Sequence, residues 1–149
     1  MKSKVNEISI KYRGNLKVKE APKISSSLCA KELLFSQWNK DHIALHECFK
    51  VMLLNNANRV KGIFEVSTGG ITGTLVDVRI VFAVALKSLT TAIIIAHNHP
   101  SGTLKPSEND KRLTRKIKSA GEFLDIKLLD HLIITPDGSY FSFADEGIL

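Results

Sequence analysis

Residues 91–102 read Thr91-Ala-Ile-Ile-Ile-Ala-His97-Asn-His99-Pro-Ser-Gly102. The run from Thr91 to Ala96 is apolar and largely β-branched, the mark of a strand covered on both faces. It stops abruptly at two histidines and a Pro-Ser-Gly loop. Beyond Pro106, Ser107 opens a segment with Leu113, Ile117, Ala120 and Leu124 at helical spacing. Another strand-like run follows, Leu128 to Thr135, and the turn Pro136-Asp137-Gly138 returns it through Tyr140 to Phe143 as a hairpin. Strand, helix and strand in succession predict a sheet with helices laid on it.

Working backward from Thr91, the spacing from Asp77 is helical, with Val78, Val81, Phe82, Ala85, Leu86 and Leu89 on one stripe. Before it, Glu47 to Leu54 and Val60 to Val66 flank the turn Asn55-Asn-Ala-Asn58, a second hairpin, followed by a loop with Gly69, Gly70 and Gly73. One of Ser25, Ser26 and Ser27 caps a helix running to about Trp38. The order is α-β-β-α-β-α-β-β, and the fold class expected is α/β with a mixed sheet.

The 149 residues carry a net charge of +6, unevenly spread. Seven Lys/Arg against Glu7 and Glu20 give residues 1–25 a charge of +5, while the other 124 residues hold 14 against 13. We therefore divide the chain into a basic arm, residues 1–25, with one strand-like patch at Val5 to Ile10, and a domain, residues 26–149. Such an arm solubilises, or binds phosphate backbones without sequence preference. Without interleaved aromatic residues for base stacking, the solubilising reading is favoured. No apolar run approaches the roughly 20 residues of a membrane helix, so no membrane partner is expected. The start has no apolar stretch of a secretory signal, and the cytoplasm is the expected compartment. Cys29 and Cys48 form no Cys-x-x-Cys and read as core thiols. The Gly69, Gly70 and Gly73 cluster lacks phosphate-loop spacing and is assigned no ligand. The basic outer face of the last helix (Lys111, Arg112, Arg115, Lys116, Lys118) reads as solvated, and His42 and His46 as surface or packing residues.

The chemistry concentrates in His97-x-His99-(x7)-Ser107-x-x-Asp110. Two imidazoles and a carboxylate suit zinc, which in catalytic sites keeps three protein ligands and leaves the fourth position open. Ser107 and Asp110 also satisfy a helix capping box, which accounts for Asp110 without any metal. The two readings are compatible, since a capped helix start would orient a ligand. A metal hydrolase further needs a carboxylate base near the metal's water. Glu47 and Glu65 are the candidates, each beside a predicted strand. His131 reads as a core or edge histidine, or else as a group that holds a metal ligand in place.

Glu47 at the head of a strand, His97-x-His99-Pro100, Ser107 and Asp110 together resemble the JAMM (MPN) metalloprotease motif. Ala96-His-Asn-His-Pro-Ser-Gly102, Pro106-Ser107 and Leu128-Leu-Asp-His-Leu-Ile-Ile134 are similar to the signature of its bacterial RadC-like branch. The resemblance covers about residues 25–149. It implies a curved mixed sheet between helices, the JAMM/MPN, cytidine-deaminase-like architecture. It implies one zinc on His97, His99 and Asp110, with Glu47 as general acid/base and Ser107 helping to hold the oxyanion. It gives Glu65 no catalytic counterpart. The activity implied is hydrolysis of a peptide or isopeptide bond by a zinc-activated water, on a protein or peptide substrate lying against an edge strand.

Two features depart from the wider pattern. Asn98 stands where JAMM proteases place Ser or Thr, although RadC-like members share it. The N-terminal helix-hairpin-helix-like segment of longer RadC-like proteins is not expected within these 149 residues. Two other readings stand beside the enzyme: a DNA-associated factor without hydrolytic activity, in line with the DNA-repair label of the family, and a module that keeps metal for structure alone. Homo-oligomerisation is left open.

Overall fold

The computed structural model describes residues 4–70 and 74–149. Helix α1 (Ser27–Ser36) is followed by β1 (Cys48–Leu54), β2 (Val60–Thr68), α2 (Val78–Lys87), β3 (Ala92–Asn98), α3 (Glu108–Phe123), β4 (Lys127–Ile134) and β5 (Tyr140–Ser142). The strands form one sheet in the order β2-β1-β3-β4-β5. All neighbouring pairs are antiparallel except β3 and β4, which are parallel and joined across α3. This is the mixed α/β sheet with flanking helices that the element order predicts, and a parallel pair requires such a crossover.

β3 lies at the centre, and all seven of its residues are buried. Its side chains alternate between two cores. Ala92, Ile94 and Ala96 meet α1 through Ala30 and Leu34, together with Trp38, Met52, Leu54, Leu132 and Ile134. Ile93 and Ile95 meet α2 and α3 through Val81, Phe82, Ala85 and Ile117, together with Phe49, Val51 and Leu53. Ser26 caps α1, its side chain accepting from the Cys29 N–H at 3.1 Å, and Asp77 caps α2.

The apolar stripe expected on α2 is narrower than its spacing suggests. The helix ends at Lys87, Leu89 takes a positive φ of 51°, and Leu86 and Leu89 are 48% and 79% exposed. Leu124, expected inward, caps the end of α3 and is 41% exposed. Gly121 takes the inward position there, because a Cβ would come within 2.3 Å of the Ile126 carbonyl oxygen. Val5 to Ile10 forms no strand. Those side chains have no second layer to cover them, and Val5 and Ile8 are each 86% exposed. The segment after them is tied to β2: Tyr12 donates to the Lys61 carbonyl, Arg59 to the Ala21 carbonyl, and Val60 N–H to the Pro22 carbonyl. Of the glycine loop, Gly73 lies outside the described residues.

Candidate metal centre

The centre is built where β3 leaves the sheet. His97 continues the Ile93–Ile95 face, stacked at 6.2 Å and 11° on Phe49, its pairing partner in β1. Asn98 points to the opposite face. His99 still pairs through its N–H with the Ile134 carbonyl. The chain then turns, with Gly102 N–H bonding to the His99 carbonyl at 3.1 Å and Gly102 at φ 82°, a conformation open to glycine. Ser107 starts α3 with the complete capping box: its Oγ accepts the Asp110 N–H at 3.0 Å, and Asp110 Oδ2 accepts the Ser107 N–H at 2.8 Å. The cap thus orients the Asp110 carboxylate, and a capped Asp110 can still turn an oxygen toward the two histidines.

Across this turn His97 Nε2 and His99 Nε2 approach to 3.0 Å. Asp110 Oδ1 lies 3.4 Å from His97 Nε2, and Oδ2 lies 3.6 Å from His99 Nε2. Among the described residues, this is the group of three side chains whose ligand atoms lie within 4.8 Å of one another. The donor chemistry fits a cation. His99 Nδ1 sits 2.6 Å from the Thr103 carbonyl oxygen, which only accepts, so Nδ1 carries a hydrogen and in the neutral ring Nε2 presents a lone pair. That lone pair faces a second imidazole nitrogen and a carboxylate, electron-rich atoms that a divalent ion would reconcile.

The electrostatics agree. Burial would raise the Asp110 carboxyl, but the facing imidazoles of His97 and His99 outweigh it and hold the group well below the usual carboxylate range. Burial would lower His99, but Asp110 and the Thr103 carbonyl outweigh it and raise the imidazole. Each group therefore favours its charged form in the presence of the other.

Glu47 precedes β1, two residues before Phe49, which places it level with His99 across the end of the sheet. Its N–H bonds to the Gly70 carbonyl at 3.2 Å, and its carbonyl accepts from Gly69 N–H at 2.7 Å. Asn98 clamps the same segment: its Oδ1 accepts the Cys48 N–H at 2.7 Å, and its Nδ2 donates to the carbonyls of Ile43 and His46 at 2.8 and 2.9 Å. The Glu47 side chain lines a cleft of about 700 Å³ together with His99, Ser107 and Asp110. Burial raises its carboxyl, while the nearby His97 and His99 oppose that shift. A half-buried carboxylate of raised proton affinity beside three metal donors is equipped to take and return a proton.

Of the residues singled out in the sequence, His97, His99 and Asp110 converge, and Glu47 and Ser107 open onto the same cleft. Glu65 is elsewhere, on the edge strand β2, paired with Lys50 at 3.4 Å and with the Thr68 hydroxyl at 3.2 Å. His42 and His46 face one another with ring centroids 5.0 Å apart, and the His46 carbonyl serves the Asn98 clamp. Thr114 belongs to no linear motif: it lies one turn after Asp110 on the inward stripe of α3, buried against His131. The signal that reveals it is the i, i+4 spacing from a ligand.

A family model described as "RadC-like JAB domain" matches residues 24–148. Similar proteins include UPF0758 proteins of Flavobacterium johnsoniae, Porphyromonas gingivalis and Trichlorobacter lovleyi. The first is 57% identical over 103 residues, the second 50% over 99 and the third 46% over 103. These alignments cover 69%, 66% and 69% of this chain and 44% of each relative, so the chain spans less than half the length of the relatives it matches. With the family model extending over most of its length and the histidine–aspartate cluster at the end of the central strand, the chain belongs to the RadC-like JAB domain family.

Proposed function

We propose that the chain is a zinc-dependent hydrolase of the JAMM type that cleaves a peptide or isopeptide bond. The observation that carries this reading is the placement of the Glu47 carboxylate in the same cleft as His99, Ser107 and Asp110. A structural metal site has no need of such a base. His97, His99 and Asp110 would hold the ion. Bound zinc supplies a Lewis acid for the scissile carbonyl and lowers the pKa of its water to about 7.

The remaining work falls to this chain's own side chains. Glu47 takes the proton of the attacking water and delivers it to the leaving amine, a task suited to a carboxyl raised by burial. Ser107 Oγ already accepts from Asp110 N–H, so its own hydrogen is free to donate to the oxyanion. Residues 26–149 carry this chemistry, and residues 1–25 form the basic arm. The substrate is an extended protein segment entering along the cleft walls at Leu45, Thr74 and Pro100. The described residues contain no helix long and apolar enough to cross a membrane. We place the enzyme in the cytoplasm, where its free Cys29 and Cys48 stay reduced.

The test combines metal analysis of the full chain, purified without chelator, with hydrolysis of a mixed peptide and isopeptide library followed by mass spectrometry. Glu47→Gln should keep its zinc and lose roughly 10²–10⁴-fold in hydrolysis, whereas Glu65→Gln should leave it unchanged. Absence of stoichiometric metal, or full activity in Glu47→Gln, overturns the reading.

A further inference from the structure

His97 must present a lone pair on Nε2 to bind a cation, and an isolated neutral imidazole does not hold one tautomer. The structure supplies a chain of hydrogen bonds that does. Thr114 Oγ1 lies 2.6 Å from the Asp110 main-chain carbonyl oxygen and 2.6 Å from His131 Nδ1. A hydroxyl has one hydrogen, and the carbonyl can only accept, so that hydrogen belongs to the Asp110 bond. The second short contact then needs its hydrogen from His131 Nδ1. His131 Nε2 lies 2.8 Å from His97 Nδ1.

The His131 ring is wholly buried, stacked on Phe143 at 4.5 Å and edge-on to Phe49. Its neighbour Asp130 turns the other way, its oxygens accepting from the Ser142 hydroxyl and from the N–H groups of His131 and Ala144. In a neutral imidazole a hydrogen on Nδ1 leaves Nε2 as the acceptor, and the wholly buried ring presents that Nε2 to His97. His97 Nδ1 is therefore the donor, and His97 Nε2 is left bare, aimed at His99 and Asp110.

We infer that His131 and Thr114 are positioning residues that lock His97 in the Nδ1–H tautomer, so that its Nε2 lone pair is committed to the metal. This deepens the zinc-hydrolase reading and rests on it for its purpose. The relay is closed: Thr114 takes its bearing from the carbonyl of Asp110, itself a ligand, so one turn of α3 both supplies a ligand and sets the tautomer of another. His99 is locked separately by the Thr103 carbonyl. Outer partners of this kind commonly change metal affinity by about 10–100-fold.

The test uses the full chain labelled with ¹⁵N-histidine, metal-free, at a pH well above the ordinary histidine value of about 6.5. His97 should show a protonated Nδ1 and a bare Nε2. Thr114→Val keeps the shape but removes the relay's anchor, and it should convert His97 to a tautomer mixture. Zinc affinity, read by competition with a chelator, should fall about 10–100-fold in Thr114→Val and in His131→Leu. His131→Gln, whose amide can accept from His97 and donate to Thr114, should recover most of that loss. A protonated Nε2 on His97 in the parent chain, or an unmixed Nδ1–H tautomer in folded Thr114→Val, overturns the inference. The expected tautomers in a chain that binds no zinc would uphold the lock and overturn the hydrolase reading instead.

Discussion

Replacing Asn98 tests how the Glu47 carboxylate is held. Asn98 is fully buried and satisfies three main-chain groups of the segment leading to β1: the Cys48 N–H and the carbonyls of Ile43 and His46. Asn98→Leu retains the bulk and removes all three partners. A buried polar group left without its partner costs about 1–3 kcal/mol. The added leucine brings apolar burial that offsets part of the loss, and the bond to the His46 carbonyl is only part-buried, so the low half of that range applies. Three groups at about 1–2 kcal/mol each then give about 3–6 kcal/mol. Domains of this size shift by about 2–4 °C per kcal/mol, so thermal unfolding of the metal-free chain should fall by roughly 10 °C. Asn98→Asp is sharper still. One carboxyl oxygen keeps the Cys48 N–H, but the other faces two carbonyl oxygens and must carry a proton to bond either of them. The introduced carboxyl is thereby raised in the folded state, and a raised acid loses stability as pH rises. Its deficit against the parent should widen from pH 4 toward pH 7. Because the clamp also aims Glu47, surviving hydrolysis in either variant should drop while zinc is retained. If Asn98→Leu melts within about 2 °C of the parent, or if the Asn98→Asp deficit is flat with pH, the three bonds do not hold the Glu47 segment and the reasoning fails.

Single changes of His97, His99 or Asp110 to Ala should each abolish stoichiometric metal binding while far-ultraviolet circular dichroism still reports the folded sheet, since the two cores do not include these side chains. Unfolding on loss of the ion would indicate a structural site. The pH dependence of stability should change sign with metal. In the metal-free chain, raised His99 contributes below its ordinary value of about 6.5 and loses that contribution as pH rises through its folded value. Depressed Asp110 contributes above about 3.9 and loses it as pH falls. Their joint contribution is greatest between about pH 4 and 6. Zinc competes with the histidine protons, so the rise in melting temperature on adding zinc should grow from pH 5.5 to 8. A gain that is the same at both ends counts against imidazole ligation.

The parts legible in the sequence are those governed by near neighbours in the chain. Ile93-Ile94-Ile95 announces a central strand because a residue with apolar neighbours on both sides can only be buried on both faces. Ser107 and Asp110 announce a helix start because their capping bonds close within four residues. The ligand spacing is likewise linear, two histidines at a strand end and an acid on the next helical turn. Tertiary structure decided the rest. Leu86 and Leu89 carry the right spacing for the core, yet Leu86 sits on a half-exposed flank of α2 and Leu89 falls beyond the helix end. Asn98 reads as a spacer between ligands, and only the antiparallel β1–β3 register shows it gripping the segment behind Glu47. Asp130 and His131 stand side by side, and nothing local says which one meets His97. The parallel register of β3 and β4 slips between Ile93 and Ile94, pairing Ile93 with Leu128 but Ile94 with Asp130. A slip of one residue turns every later side chain to the other face of the sheet. It sends Asp130 toward Ser142 and delivers His131 to His97, a choice made by long-range pairing and invisible to any short window of the chain.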